Sequence, residues 1–449
     1  MKNLILILAL LFGLFSQAYS QEKQFSETEK QKTERLEWWT NARFGMFIHW
    51  GLYALPARHE WVKSYEKLTN EQYQKYFDNF NPDLFNPLDW AKTAKEAGMK
   101  YAVITSKHHE GFCLFDSQYT DYKVTNTPYG KDVIKEWLDA FRAEGLKVGL
   151  YYSLIDWHNS DYTIDRNHPQ RGETEEQYNE LNKNRDMSKY RQYLFNQVKE
   201  ILTKYGKIDI LWLDYSFPGK FGKGHEDWDS QKLLAMVRKL QPGIIVNDRL
   251  DLKDAKGGWD FTTPEQEKVV AWPQYNGKRV SWETCQTFSG SWGYYRDENT
   301  WKSPAQLIEL LAESVSKGGN LLLNVGPTAR GVFDYRATER LKAMGDWMKF
   351  NNRSIYGCTQ APDDFVKPNN TLLTYNPKTN RLYVHLLVYP LGKLILKNIA
   401  GKVKYIQFLH DASEISYIKS DGLNGNDLVL DLPVQKPPVE IPVLEVILK

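Results

Sequence analysis

The sequence predicts an α/β protein: a (β/α)8-like TIM barrel over residues 21–357, followed by an antiparallel β-sandwich over residues 358–449. Seven short apolar runs alternate with helical patterns in the first of these regions. The runs lack the period-two alternation of half-exposed strands, as expected for a parallel sheet covered on both faces. All 15 tryptophans lie between Trp38 and Trp347, so the composition changes near residue 358.

The seven apolar runs are the predicted barrel strands. They are rich in Ile, Val, Leu, Tyr and Trp and cover residues 44–50, 101–107, 148–153, 209–214, 244–248, 279–283 and 320–326. Seven strand–helix units leave one unit of a barrel missing or irregular. An open doubly wound sheet is the alternative architecture. No glycine-rich dinucleotide or phosphate loop follows any run, which counts against a nucleotide-binding version of that sheet.

The intervening helices are predicted from apolar spacing and caps. Ser303 and Gln306 form a capping box around Pro304, which indicates a helix that begins at Pro304. A second helix is predicted from an apolar stripe at intervals of three or four residues. Its members are Tyr190, Leu194, Val198, Ile201, Leu202 and Tyr205.

The last ninety residues have a different pattern, in which short apolar runs are separated by turn residues. The turns lie at residues 377–380 and 422–425. This pattern favours a small antiparallel β-sandwich. The predicted strands cover Leu372–Tyr375, Arg381–Val388, Lys393–Leu396, Lys404–Leu409, Leu428–Leu432 and Leu444–Leu448.

Residues 1–20 have the pattern of a secretory signal peptide. Lys2 precedes an apolar run over Leu4–Phe15, and Ala18-Tyr19-Ser20 is a small-x-small cleavage site. A run of about 12 residues is too short to span a bilayer comfortably. We therefore expect an exported protein, periplasmic or extracellular, with no membrane segment after cleavage near Gln21.

The charge balance and the aromatic content restrict the function classes. Lys and Arg number 58 and Asp and Glu number 56, giving a net charge of +2, which removes the electrostatic case for nucleic-acid binding. Aromatic residues make up 14%, which fits either a protein that stacks rings on sugars or a large aromatic core. The three cysteines, Cys113, Cys285 and Cys358, form no disulfide framework.

The carboxyl ends of the predicted strands carry the candidate catalytic residues, because active sites of such barrels lie there. Asp214 is the first acidic residue after a strongly apolar run, so a rigid strand would hold it partly desolvated, as a nucleophile requires. Glycoside hydrolysis needs a second carboxylate. The candidates are Glu265, Glu267 and Glu283.

A metal site is not expected at these strand ends. His108 and His109 are adjacent at the end of a predicted strand, so they should point to opposite faces if the strand alternation continues through them. Zinc-ligand spacing is absent, as is a Gly-x-Ser-x-Gly nucleophile elbow. The expectation is therefore an enzyme without a metal or another cofactor, in which neutral histidines bond to sugar hydroxyls.

Eight motifs in order make the sequence similar to glycoside hydrolase family 29, the retaining α-L-fucosidases, over residues 35–350. They are FGMFIHWG (44–51), KHHEGF (107–112), WLD (212–214), VNDR (246–249), TPEQE (263–267), WETC (282–285), SWGY (291–294) and GGNLLLNVGP (318–327). The layout of barrel and C-terminal sandwich also resembles that family.

The resemblance implies a role for each matching residue. Asp214 matches the nucleophile, and Glu265 matches the acid/base, with Glu283 ranked second and Glu267 third. Trp292 matches an aromatic residue that lies against the methyl group of fucose. The other implied sugar-contacting or pocket-wall residues are His49, Glu60, Trp61, His108, His109, Tyr152, Trp212 and Arg249.

The resemblance implies a retaining exo-α-L-fucosidase that acts on a fucosylated oligosaccharide or glycoconjugate. The alternatives are a glycosidase of another deoxy or galacto-configured sugar and an inactive fucose-binding relative. The sequence is also compatible with a homo-oligomer. Two departures from the common pattern, Val62 after Glu60-Trp61 and Tyr215 after Asp214, affect the expected leaving-group preference.

Overall fold

The structure is a computed structural model that describes residues 26–252, 258–419 and 425–449. The predicted signal peptide, residues 1–20, lies outside these ranges. Of the helices in these ranges, none combines the length and the apolar character needed to cross a membrane.

Eight parallel strands form the barrel that the sequence predicts. In chain order, the strands up to residue 325 are β1 (Phe44–Ile48), β2 (Tyr101–Lys107), β3 (Lys147–Ser153), β4 (Ile210–Asp214), β5 (Ile245–Val246), β6 (Phe261–Thr262), β7 (Gln274–Tyr275), β8 (Lys278–Arg279), β9 (Ser281–Thr287) and β10 (Asn320–Val325). Strands β7 and β8 form a separate antiparallel hairpin. The order around the barrel sheet is β5-β4-β3-β2-β1-β10-β9-β6.

The two edges of this sheet meet, which excludes the open-sheet alternative. The Asp260 N–H donates to the Val246 carbonyl at 2.7 Å, and Asn247 forms a parallel bridge with Phe261. Strand β6 is the irregular unit, and none of the seven predicted runs covers it. Strand β9 also runs beyond the predicted end at Glu283 to Thr287.

Helices cover the outside of the barrel. They are α1 (Glu29–Ala42), α2 (Val62–Tyr65), α3 (Asn70–Asp78), α4 (Pro87–Glu96), α5 (Val133–Ala143), α6 (Glu175–Asn182), α7 (Met187–Lys204), α8 (His225–Trp228), α9 (Ser230–Leu240), α10 (Pro304–Ser316) and α11 (Tyr335–Asn351). The predicted capping box of Ser303 and Gln306 is present at α10. The predicted apolar stripe of α7 is buried.

Every strand of the barrel contributes to one interior core. Its strand residues are Phe47, Tyr101, Val103, Tyr151, Ile210, Trp212, Ile245, Phe261, Cys285 and Leu322. Helix α1 adds Leu36, Trp39 and Ala42 to the same cluster, and the Trp39 and Phe261 ring centroids are 4.7 Å apart. Helix α1 therefore closes the amino-terminal end of the barrel, which leaves the carboxyl end for a site.

The C-terminal region is an antiparallel β-sandwich, as predicted. Its strands are β11 (Thr359–Gln360), β12 (Thr371–Asn376), β13 (Arg381–Leu386), β14 (Lys393–Leu396), β15 (Val403–Phe408), β16 (Tyr417–Lys419), β17 (Leu428–Asp431) and β18 (Val443–Leu448). The sheets have the orders β11-β12-β13-β18-β15 and β14-β17-β16. Both sheets contribute buried side chains to one core, for example Val384 and Leu430.

The barrel and the sandwich are in direct contact. The Trp347 indole of α11 donates to the Ile441 carbonyl at 3.0 Å, and the Arg43 guanidinium donates to the Cys358 carbonyl at 2.7 Å. These bonds connect the amino-terminal end of β1 and the last barrel helix to the sandwich. The three cysteines are buried and unpaired.

Candidate active site

The carboxyl ends of the barrel strands surround a pocket of about 210 Å³. Nine of the residues selected from the sequence line it: His49, Trp61, His108, His109, Trp212, Asp214, Arg249, Glu265 and Trp292. The pocket also contains seven side chains that were not selected: Phe47, Tyr151, Arg166, Asn167, Tyr215, Phe217 and Cys285. The structure thus brings together most of a set that is widely spaced in the sequence.

Asp214 is the last residue of β4, and two donors hold its carboxylate. The Tyr151 hydroxyl donates to Oδ2 at 2.7 Å, and Arg249 Nη1 donates to Oδ1 at 3.1 Å. His109 Nε2 lies 3.7 Å from Oδ2. Hydrogen bonds to both oxygens fix the carboxylate in one orientation at the strand end, as a nucleophile needs.

Arg249 connects the two leading carboxylate candidates. Its Nη2 donates to Glu265 Oε2 at 2.8 Å, and its Nε donates to Thr263 Oγ1 at 2.8 Å. The guanidinium also lies over the Trp212 ring, 5.1 Å from the centroid. Burial lowers the pKa of Arg249, but the nearby Asp214 and Glu265 carboxylates outweigh it and raise the pKa above its ordinary value.

Glu265 lies at the mouth of the pocket. The segment after β6 runs beside β9, with the Gln266 N–H donating to the Cys285 carbonyl at 3.0 Å and a parallel bridge between Glu265 and Cys285. The Glu265 side chain is 42% exposed, whereas that of Asp214 is 15% exposed. One carboxylate therefore sits inside the pocket and the other at its entrance, both bonded to one guanidinium.

His108 and His109 both line the pocket, so the prediction that they point to opposite faces is wrong. The regular pairing of β2 with β3 shifts between Thr105 and Lys107, and the strand ends at Lys107. The alternation of a strand therefore does not apply to the two histidines. Their ring centroids are 4.1 Å apart.

Burial keeps the pocket histidines neutral near pH 7. It lowers the pKa of His49 to about 3, although a bond to Asn324 partly opposes the effect, and it lowers the pKa of His109 to about 3 as well. His49 Nδ1 lies 2.6 Å from Asn324 Oδ1, and His109 Nδ1 lies 2.7 Å from Ser153 Oγ. These partners orient the rings and leave each Nε2 for a ligand.

Tyr152, selected from the sequence as a sugar contact, is not in the pocket. Its hydroxyl donates to Gln197 on α7 at 2.7 Å, and its ring packs in the core between the sheet and the helices. The neighbouring Tyr151 faces the barrel interior and bonds to Asp214. Successive side chains on a strand point to opposite faces, so only one of the two tyrosines can reach the pocket.

Glu60 lies behind the pocket wall, and it is absent from the residues that line the pocket. Its Oε2 accepts bonds from the Gly293 N–H at 2.9 Å, from the Trp292 N–H at 3.1 Å and from the Ser291 hydroxyl at 3.1 Å. The buried carboxylate thereby fixes the turn that carries Trp292. Glu60 therefore positions Trp292 and does not contact the pocket itself.

Neither of the other two carboxylate candidates lines the pocket. Glu283 is fully buried near the amino-terminal end of β9, where it accepts a hydrogen bond from the Tyr101 hydroxyl. It faces the interior one layer below Cys285. Glu267 lines a different cavity, of about 180 Å³, between its loop and α10. Glu265 is therefore the candidate that the geometry places with Asp214.

The described ranges contain no group of three or more His, Cys, Asp or Glu side chains arranged to hold a metal ion. The pocket instead offers carboxylates, a guanidinium and neutral imidazoles among aromatic rings. This set can carry out acid–base and nucleophilic chemistry at an acetal carbon.

The comparison with known families identifies the relatives of this chain. A family described as Alpha-L-fucosidase matches residues 13–353, which is more than half of the chain. The chain belongs to the alpha-L-fucosidase family, glycoside hydrolase family 29. The resemblance seen in the sequence is thus confirmed.

Individual fucosidases match nearly the whole chain. Human plasma alpha-L-fucosidase is 30% identical over 435 residues, which cover 88% of this chain and 85% of that protein. The structure of alpha-L-fucosidase isoenzyme 1 from Paenibacillus thiaminolyticus is 43% identical with a TM-score of 0.87, and the match covers 93% of this chain and 99% of that one.

A further related structure shows a reaction intermediate. It is a family 29 alpha-L-fucosidase from Bacteroides thetaiotaomicron, trapped as a covalent intermediate with 2-fluoro-fucosyl fluoride. It is 28% identical with a TM-score of 0.80, and the match covers 96% of this chain and 99% of that one.

Six of the seven pocket residues that were not selected from the sequence fall into two groups, and the seventh, Tyr215, directly follows Asp214. Phe47, Tyr151 and Cys285 face inward from regular strands, and only the strand register distinguishes them from their outward neighbours. Arg166, Asn167 and Phe217 lie on loops after β3 and β4, which carry no recognisable motif. Strand alternation, once the register is known, could have found the first group.

Proposed function

We propose that this family member is an exported retaining exo-α-L-fucosidase that removes terminal α-L-fucosyl residues from oligosaccharides or glycoconjugates by double displacement. The observation that carries the proposal is the arrangement of Asp214 inside the pocket and Glu265 at its mouth, joined by Arg249. Retaining glycosidases need such a pair, one group attacking the anomeric carbon and the other transferring the proton.

In the first step, an Asp214 oxygen attacks the anomeric carbon and forms a glycosyl ester. The bond to the leaving oxygen breaks, and protonated Glu265 donates its proton to that oxygen. The Tyr151 hydroxyl and Arg249 hold the Asp214 carboxylate so that an oxygen faces the sugar. Glu265 is the more exposed of the two carboxylates, as suits a group that must reach the leaving group and then water.

In the second step, Glu265 accepts a proton from a water molecule, which attacks the anomeric carbon. The ester bond to Asp214 breaks, and the carboxylate is regenerated. Two inversions at the same carbon give net retention of configuration. The trapped intermediate of the Bacteroides relative supports a covalent step for this chain as well.

The pocket chemistry supports fucose as the sugar. Fucose is a 6-deoxy sugar, so it needs an apolar wall for its methyl group and donors for its hydroxyls. Trp212 and Trp292 are aromatic walls, Arg249 is a donor, and the neutral imidazoles of His49 and His108 can donate or accept. A hydroxyl in another position would leave a buried polar group unpaired, at a cost of about 1–3 kcal/mol.

Export is the part of the proposal that rests on the sequence alone. Residues 1–20 have the charged, apolar and small-residue segments of a signal peptide, and the first helix begins later, at Glu29. Expression of the full chain in a Gram-negative host, followed by amino-terminal sequencing of the periplasmic or secreted protein, tests it. A new amino terminus near Gln21 is expected, and an uncleaved protein in the cytoplasm would contradict it.

Hydrolysis of 4-nitrophenyl α-L-fucoside by the wild type and Asp214→Ala tests the activity and the nucleophile together. We expect turnover by the wild type and a loss of several orders of magnitude in kcat for the variant. Asp346→Ala is the matched control, because Asp346 is an exposed carboxylate on α11 that pairs with the exposed Lys342. A wild type that prefers another aryl glycoside, or an Asp214→Ala variant with normal kcat, would contradict the proposal.

Azide rescue separates the two carboxylate roles. In Asp214→Ala, azide would attack the anomeric carbon from the vacated side and give β-L-fucosyl azide. In Glu265→Ala, azide would attack the glycosyl ester and give α-L-fucosyl azide. Formation of α-L-fucosyl azide by Glu283→Ala or Glu267→Ala, and not by Glu265→Ala, would reassign the acid/base.

A further inference from the structure

The pocket continues outward into a rim that the proposed steps do not use. This rim site consists of Trp61, Arg166, Asn167, Tyr215 and Phe217, all of which line the pocket. The deep part of the pocket is buried, whereas Phe217 is 44% exposed and Arg166 is also exposed. A ligand that extends from the deep pocket towards solvent would therefore pass over the rim site.

Aromatic packing gives the rim a defined shape. Tyr215 directly follows Asp214 and has a φ of 80°, a left-handed conformation that is unfavourable for a residue with a Cβ. Its ring packs against Phe217 with centroids 4.8 Å apart, against His109 at 5.4 Å and against Trp61 at 6.2 Å. Tyr215 therefore connects the rim residues Phe217 and Trp61 to Asp214 at the end of β4.

Arg166 is fixed through its backbone, and its charge is not neutralised. Its N–H donates to the Phe221 carbonyl at 2.8 Å, and Nη2 lies 3.4 Å from the Phe217 carbonyl. Across the described parts of the chain, no ion pair joins Arg166 to a carboxylate within 4 Å, whereas Arg249 pairs with two. The adjacent Asp165 is turned inward and accepts the Asn167 N–H at 2.7 Å.

The cations on and near the rim differ in how they are paired. Arg249 pairs with the two pocket carboxylates. Lys223 lies 4.0 Å from Asp227, while Lys220 is exposed on the turn between Phe217 and Lys223 and contacts the Phe221 ring. A guanidinium without a carboxylate partner, such as that of Arg166, can bind carboxylate or sulfate oxygens in a bidentate manner.

We propose that the rim site binds the leaving group next to fucose and favours one that carries an anionic substituent, a carboxylate or a sulfate ester, bound by Arg166. The inference rests on the proposed function, since the rim site has a leaving group to bind only if the chain cleaves a fucoside. Phe217 and Trp61 supply apolar surface for the ring of that residue. Arg166 supplies the charge contact at the exposed end of the pocket.

A ratio of rates for matched aryl α-L-fucosides tests the proposal. The substrates are 4-nitrophenyl α-L-fucoside and two derivatives with a carboxylate or a sulfate ester on the phenyl ring. For each derivative, kcat/KM is divided by the value for the neutral substrate, and this ratio is compared between wild type and Arg166→Gln. The comparison cancels the intrinsic reactivity of each leaving group.

We expect the ratio to fall about fivefold in Arg166→Gln, the size of a partly exposed ion pair, and to be largely kept in Arg166→Lys. High salt should lower the wild-type ratio towards that of Arg166→Gln. The control, Arg330→Gln, removes an exposed arginine outside the pocket and should keep the wild-type ratio. The two derivatives show whether carboxylate, sulfate or both are preferred.

Equal ratios in wild type and Arg166→Gln for both derivatives would overturn the rim-site proposal while leaving the fucosidase proposal intact. Failure of the wild type to hydrolyse even the neutral fucoside would instead remove the proposed function, and the rim-site proposal with it. A thermal melt of each variant confirms that the ratios compare folded proteins.

Discussion

Asp214 and Arg249 form an ion pair across the ends of two neighbouring barrel strands, with Arg249 Nη1 3.1 Å from Asp214 Oδ1. Asp214 ends β4, and Arg249 lies just after β5. The same guanidinium bonds to Glu265 at 2.8 Å. Because one cation contacts both carboxylates, it lowers the repulsion between them and sets their relative position.

The first prediction concerns this bridge. Arg249→Lys keeps the positive charge, but an ammonium group cannot reproduce the planar set of donors that bonds to Asp214, Glu265 and Thr263 together. We expect kcat/KM on 4-nitrophenyl α-L-fucoside to fall about 100-fold, the typical cost of one well-placed polar group in an active site. Arg330→Lys, which changes an exposed pair with Asp83, is the control. Wild-type kinetics for Arg249→Lys would show that the bridge is dispensable.

The second prediction uses the adjacent tyrosines of β3. Tyr151→Phe removes the hydroxyl that donates to Asp214, whereas Tyr152→Phe removes a hydroxyl that bonds to Gln197 outside the pocket. A hydrogen bond to a charged group contributes about 1.5–3 kcal/mol, so Tyr151→Phe should lower kcat about 10- to 100-fold. Tyr152→Phe should keep kcat within a few-fold of the wild-type value and lower only the midpoint of thermal unfolding. The reverse pattern would contradict the observed register of β3.

The third prediction concerns Glu283, for which the structure indicates a structural role. Burial raises the pKa of this carboxyl from 4.5 to about 7, and the hydrogen bond from Tyr101 offsets part of the effect. The folded protein therefore keeps this proton between pH 4.5 and 7, while the unfolded chain releases it. The stabilising contribution is complete below pH 4.5 and is lost as the pH rises through about 7.

Glu283→Gln cannot titrate, so it should reduce this pH dependence. The difference in free energy of unfolding between pH 5 and pH 8 should be smaller in the variant by about 3 kcal/mol, measured by urea denaturation. Glu110, whose pKa burial also raises to about 7, is present in both proteins, so the comparison isolates Glu283. An unchanged pH dependence, or azide rescue of Glu283→Gln activity, would contradict the structural role.

The barrel could be predicted because seven of its strands are apolar runs between amphipathic helices. The eighth strand, Phe261–Thr262, has only two residues and so has no pattern of its own. Strand β9 was predicted to end early because its second half, Thr284–Thr287, is largely polar. Those polar residues are buried inside or beside the barrel, where tertiary packing overrides local composition.

Site residues could be predicted where a motif contains them. The prediction failed where the direction of a side chain determines whether it reaches the pocket. Asp214, Arg249 and Glu265 each occur in a motif, and the structure brings them together. The sequence gives no register for an unbroken apolar strand, so it could not distinguish Tyr151 from Tyr152. The change of pairing near Lys107, which turns His108 and His109 to the same side, likewise depends on the neighbouring strand.

The central claim is that Asp214 forms a covalent bond to fucose, and trapping that bond tests it most directly. The wild type and Asp214→Ala would be incubated with 2-fluoro-fucosyl fluoride, digested and mapped by mass spectrometry. We predict one fluorofucosyl adduct in the wild type, on the peptide that contains Asp214, and none in the variant. An adduct on Glu265 or another residue, or hydrolysis of α-L-fucosides without any adduct, would contradict the account.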